Sequence, residues 1–403
     1  MLEHAAVPPD ASVVAAVARA VARPRRDPAN SFVLHAPLEL LARVGLSARS
    51  IPDRHAEATA RLEAMIDEWN AFSEPIDDPA ERAIPTSASA SARSLADALD
   101  AGAIDEADAA AIGLARTCRP DEFGGLIGDA VMTRTTAAAH AGIFLHLFPR
   151  VAPRGEVSPA IFRQLARELA RQPEWRLRWC DDLVPVATTA DGLFGAIAAT
   201  PNVEAHPAGF VHPTMMRVDE TGIADELLRM RIPSGDHAAA ARAVLRAAAL
   251  TMLQEPDEHA PYGWSHALTM SQGVLSLVGA GPDPAHVVAI AATYVVGFRA
   301  SFARRELIAD YRPDPYDLPW NEALEAGSRA AAGAVFHADP AERSAIVAEL
   351  AGRAAIHHDA HLAKYTLACI DAMESDPEAA TIYLAAAAHL HRVWANERLH
   401  LSG

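Results

Sequence analysis

Apolar residues recur along this chain at intervals of three and four. Ile161, Leu165 and Leu169 form one such series, and Val287, Ile290, Tyr294 and Phe298 another. That spacing places each series on one face of a helix. Alternation with a period of two is scarce, and only Leu183 to Val186 and Gly209 to Val218 can hold short strands. Helix starts are marked by an N-capping residue followed by proline at Asp78-Pro79, Ser158-Pro159, Asp283-Pro284, Asp339-Pro340 and Asp376-Pro377. Glu342, three residues after Asp339, completes a capping-box pattern. Alanine dominates between these starts and glycine is sparse outside loops, both of which favour helix. The pattern predicts an all-α fold: one large multi-helical domain over 1–403. Irregular segments are expected near 1–25, 73–94 and 310–320, the last two being rich in proline.

Composition narrows the setting. A chain of 403 residues that is 51% hydrophobic can bury a large core. A formal charge of −17 argues against nucleic acid or an anionic membrane as partner, since both reward basic patches. The three cysteines, Cys118, Cys180 and Cys369, are widely spaced and form neither a CxxC pair nor a disulfide framework, which suits a reducing compartment. The longest apolar run, Val287 to Phe298, is shorter than the roughly 20 residues a membrane span needs. The N-terminus lacks a basic stretch leading into an apolar one, so no signal peptide is expected. A soluble, cytoplasmic protein is the expectation, with the oligomeric state left open.

The segment most suggestive of chemistry runs from His357 to Tyr365. If it is helical throughout, His357, His361 and Lys364 project from one face, or else His358, His361 and Tyr365 do. The surroundings are Ala-rich and apolar, and a buried imidazole has to be hydrogen-bonded or metal-bound. Of the eighteen histidines, seventeen others are available to join His361. His35 precedes Pro37, which suits the first turn of a helix, so His35 is placed at or just before that helix's start. His140 lies in an apolar helix over Thr135 to Leu145, with His146 on its other side. His266 lies just inside another helix, and His206 and His212 flank a Pro/Gly turn. A lone histidine in an apolar segment is more often a satisfied core residue than a ligand, whereas His361 has potential ligands one turn away. Lys364 reads either as a side chain snorkelling to water or as a buried amine with a depressed pKa, open to carbamylation by CO2. HExxH, GxSxG, P-loop and GxGxxG signatures are absent, and Gly124, Gly125 and Gly128 have the wrong spacing for a dinucleotide fingerprint. Asp181-Asp182 reads as capping or solvent-facing.

The run Asp359, His361, Lys364, Tyr365, Thr366 and Ala368 resembles the Asp-x-His-x-x-Lys-(aromatic)-Thr-x-Ala pattern of questin oxidase-like proteins. Asn30 to Leu41, with His35 ahead of Pro37, is similar to that family's N-terminal segment. Trp264 to Thr269, with His266, is similar to its central segment, and Gly125 to His140 to a further histidine region. The resemblance spans residues 30–390, and the C-terminal motif is its specific part. It implies a non-haem iron-dependent oxygenase of natural-product biosynthesis. Such an enzyme would act on an aromatic or polyketide-derived small molecule by oxidative C–C cleavage, Baeyer–Villiger-like oxidation or hydroxylation. It further implies Fe(II) held by His35, His140, His266, His361 and an N-carboxylated Lys364, with O2 as co-substrate. His206, His212 and His357 are alternatives to His140. Imidazole and carboxylate donors suit Fe(II), and five protein ligands leave one position open. His357, His358, Asp359 and Tyr365 then become supporting or acid–base candidates, and Tyr262, Trp264 and Phe298 candidate pocket residues. Two other readings stand beside this one: a Zn2+- or Mn2+-dependent hydrolase or lyase on the same fold, and a non-catalytic helical binding protein.

Overall fold

The computed structural model describes residues 10–151, 157–177, 186–203, 210–231, 236–256 and 259–397. The chain begins with α1 (Ala11–Val21), α2 (Ser31–Ser47) and α3 (His55–Phe72), followed by α4 (Ala88–Ala101), α5 (Ile104–Thr117) and α6 (Phe123–Val131). Next come α7 (His140–Val151), α8 (Arg163–Ala170), α9 (Ala190–Ala198), α10 (Val211–Thr221) and α11 (Asp225–Arg229). The C-terminal half holds α12 (His237–Gln254), α13 (Pro261–Leu275), α14 (Pro284–Phe302), α15 (Trp320–Ala326), α16 (Ser328–Phe336), α17 (Arg343–Ile356), α18 (Ala360–Ser375) and α19 (Ala380–Glu397). The protein is all-α, as the periodicity predicts, with one contiguous buried core running through it.

The differences from the sequence reading have local causes. Helix α1 occupies 11–21, inside a segment expected to be irregular; the Asp10 side chain caps it, and Val14, Val17 and Val21 are buried. Helix α4 likewise begins within 73–94, capped by Ser87. Gly209 to Val218 is helical from Val211, and of Leu183 to Val186 only Val186 lies among the described residues; it is extended together with Ala187, pairing in parallel with Met230–Arg231. Residues 183–185 and 209 lie outside the described residues, as do Cys180, Asp181, Asp182 and His206. Ser158, Asp283 and Asp339 accept backbone N–H bonds as helix caps, and Glu342 closes the capping box. Asp78 and Asp376 do not cap. Asp78 receives Arg163 at 2.6 Å through one oxygen, and Asp376 is taken by Arg246 at 2.6 Å on both oxygens; a charged partner, bidentate in the second case, outcompetes a lone backbone amide.

Helix α14 extends the apolar run Val287 to Phe298 at both ends. At 19 residues with mean hydropathy 1.4 it is long and apolar enough to cross a membrane, contrary to the shorter estimate from the run alone. It is 78% buried inside the protein over its most apolar window, as a core helix is.

Four helices at the centre close a ring: α2 packs on α7, α7 on α13, α13 on α18, and α18 back on α2. Glycine stands at two crossings in this ring. A Cβ on Gly273 of α13 would lie 2.6 Å from backbone atoms of Gly142 and Ile143 in α7. A Cβ on Gly45 of α2 would lie 2.9 Å from the Leu367 side chain of α18. Glycine therefore sets how closely α7 and α13 approach, whereas the end of the Leu367 side chain can shift at the second crossing.

Candidate metal centre

Each helix of the ring contributes one histidine from its first two turns: His35 from α2, His140 from α7, His266 from α13 and His361 from α18. Ring nitrogens of His35, His140 and His266 lie within 4.8 Å of one another, and all three side chains are buried. Nitrogens held by one ion at roughly 2.1 Å are at most about 4.2 Å apart, so a small inward movement would satisfy a shared metal. The His361 ring is 4.4 Å from His35 and 5.0 Å from His266, centroid to centroid. Lys364, one turn along α18 from His361, places its Nζ 3.4 Å from His140 Nε2.

The hydrogen bonds fix ring orientation. His35 Nδ1 donates to the Ser31 carbonyl, and His266 Nδ1 to the Tyr262 carbonyl at 2.6 Å, each one turn back along its own helix. His361 Nδ1 donates to Asp359 Oδ1 at 2.8 Å. A carbonyl or carboxylate only accepts, so in all three rings the proton sits on Nδ1 and Nε2 keeps a free lone pair. The Nε2 of His35 is buried without a partner, as is His140 Nδ1. A buried imidazole nitrogen without a hydrogen bond is costly, and a metal ion is one partner that could satisfy it.

The electrostatics agree. Burial, reinforced by the Lys364 charge and the neighbouring imidazoles, holds His35 and His140 well below the usual histidine range; burial and then His361 and Lys364 do the same for His266. His361 is lowered too, first by burial and then by Lys364. The imidazoles are therefore neutral at pH 7 and able to ligate. Lys364 is fully buried, and burial depresses it to about 7 despite the distant pull of Asp359 and Glu39. Its only hydrogen-bond partner among the described residues is His140, so a full ammonium there lacks a counter-ion. Burial alone would raise the Asp359 carboxyl, but the hydrogen bond and charge of His361 win and hold it well below the carboxylate range.

Around this cluster, Asp359 caps α18, accepting the His361 N–H at 2.7 Å and the Tyr262 hydroxyl at 3.0 Å. Arg43, fully buried on α2, donates to Glu39 and to the carbonyls of Ala355 and His357, the last two at 2.6 Å. It thereby ties α2 to the junction between α17 and α18. A cleft of about 640 Å3 opens over His35, His266 and His361, with Phe32, Phe210 and Tyr262 among its walls and Arg61, Glu39, Glu68, His358 and Asp359 as its polar groups.

Backbone in the left-handed region leads into two of the four helices that carry the histidine cluster. Ala137, Ala138 and Ala139 all have φ above +50°, and α7 begins only at His140. Ala260, directly before Pro261, has φ +51°. These conformations are unfavourable for alanine by roughly 1–2 kcal/mol each, and such strain collects where the surrounding structure imposes a functional geometry.

The sequence reading placed several residues differently. His357 and His358 are not on the helix of His361, because Asp359 caps α18 and helix α17 ends at Ile356. His357 Nδ1 accepts the Asp359 N–H, and its ring faces a separate cleft with Arg353 and His391. His358 is exposed at the rim of the cleft over the cluster. His35 lies in the second turn of α2, since Asn30 rather than a residue near Pro37 caps that helix. Thr135 to Ala139 is not part of α7. His212 stacks on Trp175 and bonds Thr135 at 2.6 Å, outside the cluster. His146 faces away and meets Asp371 at 3.1 Å. Tyr365 is fully buried beside Cys369, and burial raises its hydroxyl well above the usual range. Tyr262, expected in the pocket wall, also bonds both Asp359 and His266. The one local hint was its position one turn before His266.

No protein-family model matches the chain, and no curated protein or solved structure does either.

Proposed function

We propose that the histidine cluster is the metal centre of a non-haem iron-dependent oxygenase acting on an aromatic or polyketide-derived small molecule. The observation that carries this reading is the set of three buried histidine nitrogens, on His35, His140 and His266, within 4.8 Å of one another, with His35 and His266 also lining an aromatic-walled cleft. His35, His140, His266 and His361 would hold the ion, with an N-carboxylated Lys364 supplying an oxygen donor. Bound Fe(II) would supply reactivity towards O2. Ser31, Asp359 and the Tyr262 carbonyl hold the ligand rings in the tautomer that ligation needs. Phe32, Phe210 and Tyr262 offer faces and edges for a planar substrate and exclude water from the floor. Its size, about 640 Å3, suits a small polycyclic molecule.

The lysine argument is one of charge. Four helix N-termini converge here, each carrying a partial positive charge, and a lysine cation among them opposes a further cation. Burial lowers the Lys364 pKa to about 7, which makes the free amine accessible near neutral pH. The amine nitrogen can add to the carbon of CO2, forming an N–C bond and releasing a proton. The product exchanges a cation for an anion at the point where a divalent ion needs one. His140 would then be freed from its contact with the amine.

Three clustered histidines also match a catalytic zinc set, so the hydrolase or lyase reading is kept beside the first. Oxygen-electrode traces with aromatic substrates separate the two. Iron-dependent O2 uptake that is lost in Lys364→Ala is expected. Turnover of a hydrolysable substrate with Zn2+ and no O2 uptake would overturn the oxygenase reading.

A further inference from the structure

We infer that Tyr262 is a positioning residue which locks two histidines of the cluster to one another, an inference that rests on the metal-centre reading above. The observation is a continuous chain of hydrogen bonds between rings on different helices. His266 Nδ1 donates to the Tyr262 carbonyl at 2.6 Å. The hydroxyl of the same residue donates to Asp359 Oδ2 at 3.0 Å. Asp359 Oδ1 in turn accepts His361 Nδ1 at 2.8 Å and the His361 N–H at 2.7 Å. The Tyr262 ring also packs edge-on against the His361 ring, with centroids 4.9 Å apart at 78°. One side chain and its own carbonyl thus join α13 to the cap of α18.

The geometry divides the labour. Asp359 has two oxygens: one orients His361, and the other is occupied by the Tyr262 hydroxyl. Without that hydroxyl only the two His361 bonds on Oδ1 hold the carboxylate, so its plane is less firmly fixed and the direction it imposes on the His361 ring is loosened. The His266 bond, made to the backbone, survives. Removal of the hydroxyl therefore loosens one ligand and leaves the other in place, and the defect should appear as weaker metal retention. Tyr262 is more than a third exposed and stands at the wall of the cleft, so loss of one oxygen there leaves the core intact. Outer groups that orient metal ligands typically change affinity by ten- to a hundredfold when removed.

The test uses the full-length protein stripped of metal, with Zn2+ competed against a chromophoric chelator. Tyr262→Phe, which keeps the ring and removes the oxygen, should weaken Zn2+ binding by about tenfold. Tyr262→Leu should weaken it at least as much, while the urea midpoint of metal-free Tyr262→Phe stays at the wild-type value. If Phe retains wild-type affinity while Leu does not, the residue acts by packing alone and the inference is overturned. A metal-free Tyr262→Phe protein that is destabilised in proportion to its lost affinity overturns it as well. Wild-type protein that binds no Zn2+ overturns both this inference and the metal-centre reading, whereas tight wild-type binding with no effect at Tyr262 overturns the inference alone.

Discussion

Gly273→Ala puts the geometry of the centre to a quantitative test. The added Cβ would stand 2.6 Å from the Gly142 carbonyl carbon and the Ile143 nitrogen. Carbon contacts settle near 3.5–4.0 Å, so the deficit is about 1 Å. Both opposing atoms belong to the α7 backbone and cannot rotate away, so α7 and α13 must separate. Overpacking of this kind costs roughly 1–3 kcal/mol. Replacing glycine by alanine within a helix returns up to about 1 kcal/mol. The net expectation is a loss of about 1–2 kcal/mol. His140 lies two residues before Gly142, and His266 two turns before Gly273. The same displacement therefore parts two ligands, and metal affinity should fall roughly tenfold or more. Gly195→Ala is the internal control: it lies in α9, and no atom stands within 4 Å of its would-be Cβ. That change should stabilise by up to about 1 kcal/mol. Urea unfolding of the two variants with and without Zn2+ is the assay. A Gly273→Ala protein as stable as wild type, with unchanged Zn2+ affinity, would refute the close crossing.

Other expectations follow from single positions. Ala138→Gly relieves a left-handed alanine at φ +52° and should raise stability by about 0.5–1 kcal/mol, read as a higher urea midpoint; a lower midpoint would count against the strained turn. Arg43→Met removes a fully buried guanidinium that spans α2 and the end of α17, and should cost about 3 kcal/mol in thermal unfolding, since three carbonyls lose their donor while Glu39 keeps Arg61 at 2.8 Å. A loss below about 1 kcal/mol would show the bridge to be dispensable. His391 is fully buried and held down to about 3, chiefly by burial and then by His357 and Arg353. The unfolded chain therefore binds the proton near pH 6.5 while the folded one refuses it, so stability falls as pH drops from about 6.5 towards 3. This group contributes about 1.4 kcal/mol of that loss between pH 7.5 and 5.5. His391→Gln should flatten the pH dependence of the urea midpoint by that amount, and an unchanged slope would contradict the assignment.

Much of the fold was legible because helical periodicity and alanine content are local signals. The proline-marked starts at Asp283 and Asp339 held for the same reason. Asp78 and Asp376 misled because the arginines that claim them, Arg163 and Arg246, are distant in sequence. The cluster itself was partly legible. His361 and Lys364 share a turn of α18, and His35, His140 and His266 all come to the same point. The helix boundary at Asp359 was not legible, since its capping bond competes with a His-rich run that fits helical spacing equally well. Nor was the turn before His140, where three alanines adopt a conformation their propensity opposes. The crossing of Gly142 and Gly273 and the double role of Tyr262 are contacts between helices, and no local pattern encodes them.

The central claim is that histidines from four helices form one metal centre. Metal analysis of protein produced in iron-supplemented medium and purified without chelator tests it most directly, with His35→Ala and His266→Ala prepared alongside. One iron per chain is expected in the wild type and almost none in either variant, with all three proteins folded by circular dichroism. Equal iron in all three, or none in the wild type even after anaerobic reconstitution with Fe(II), would contradict it.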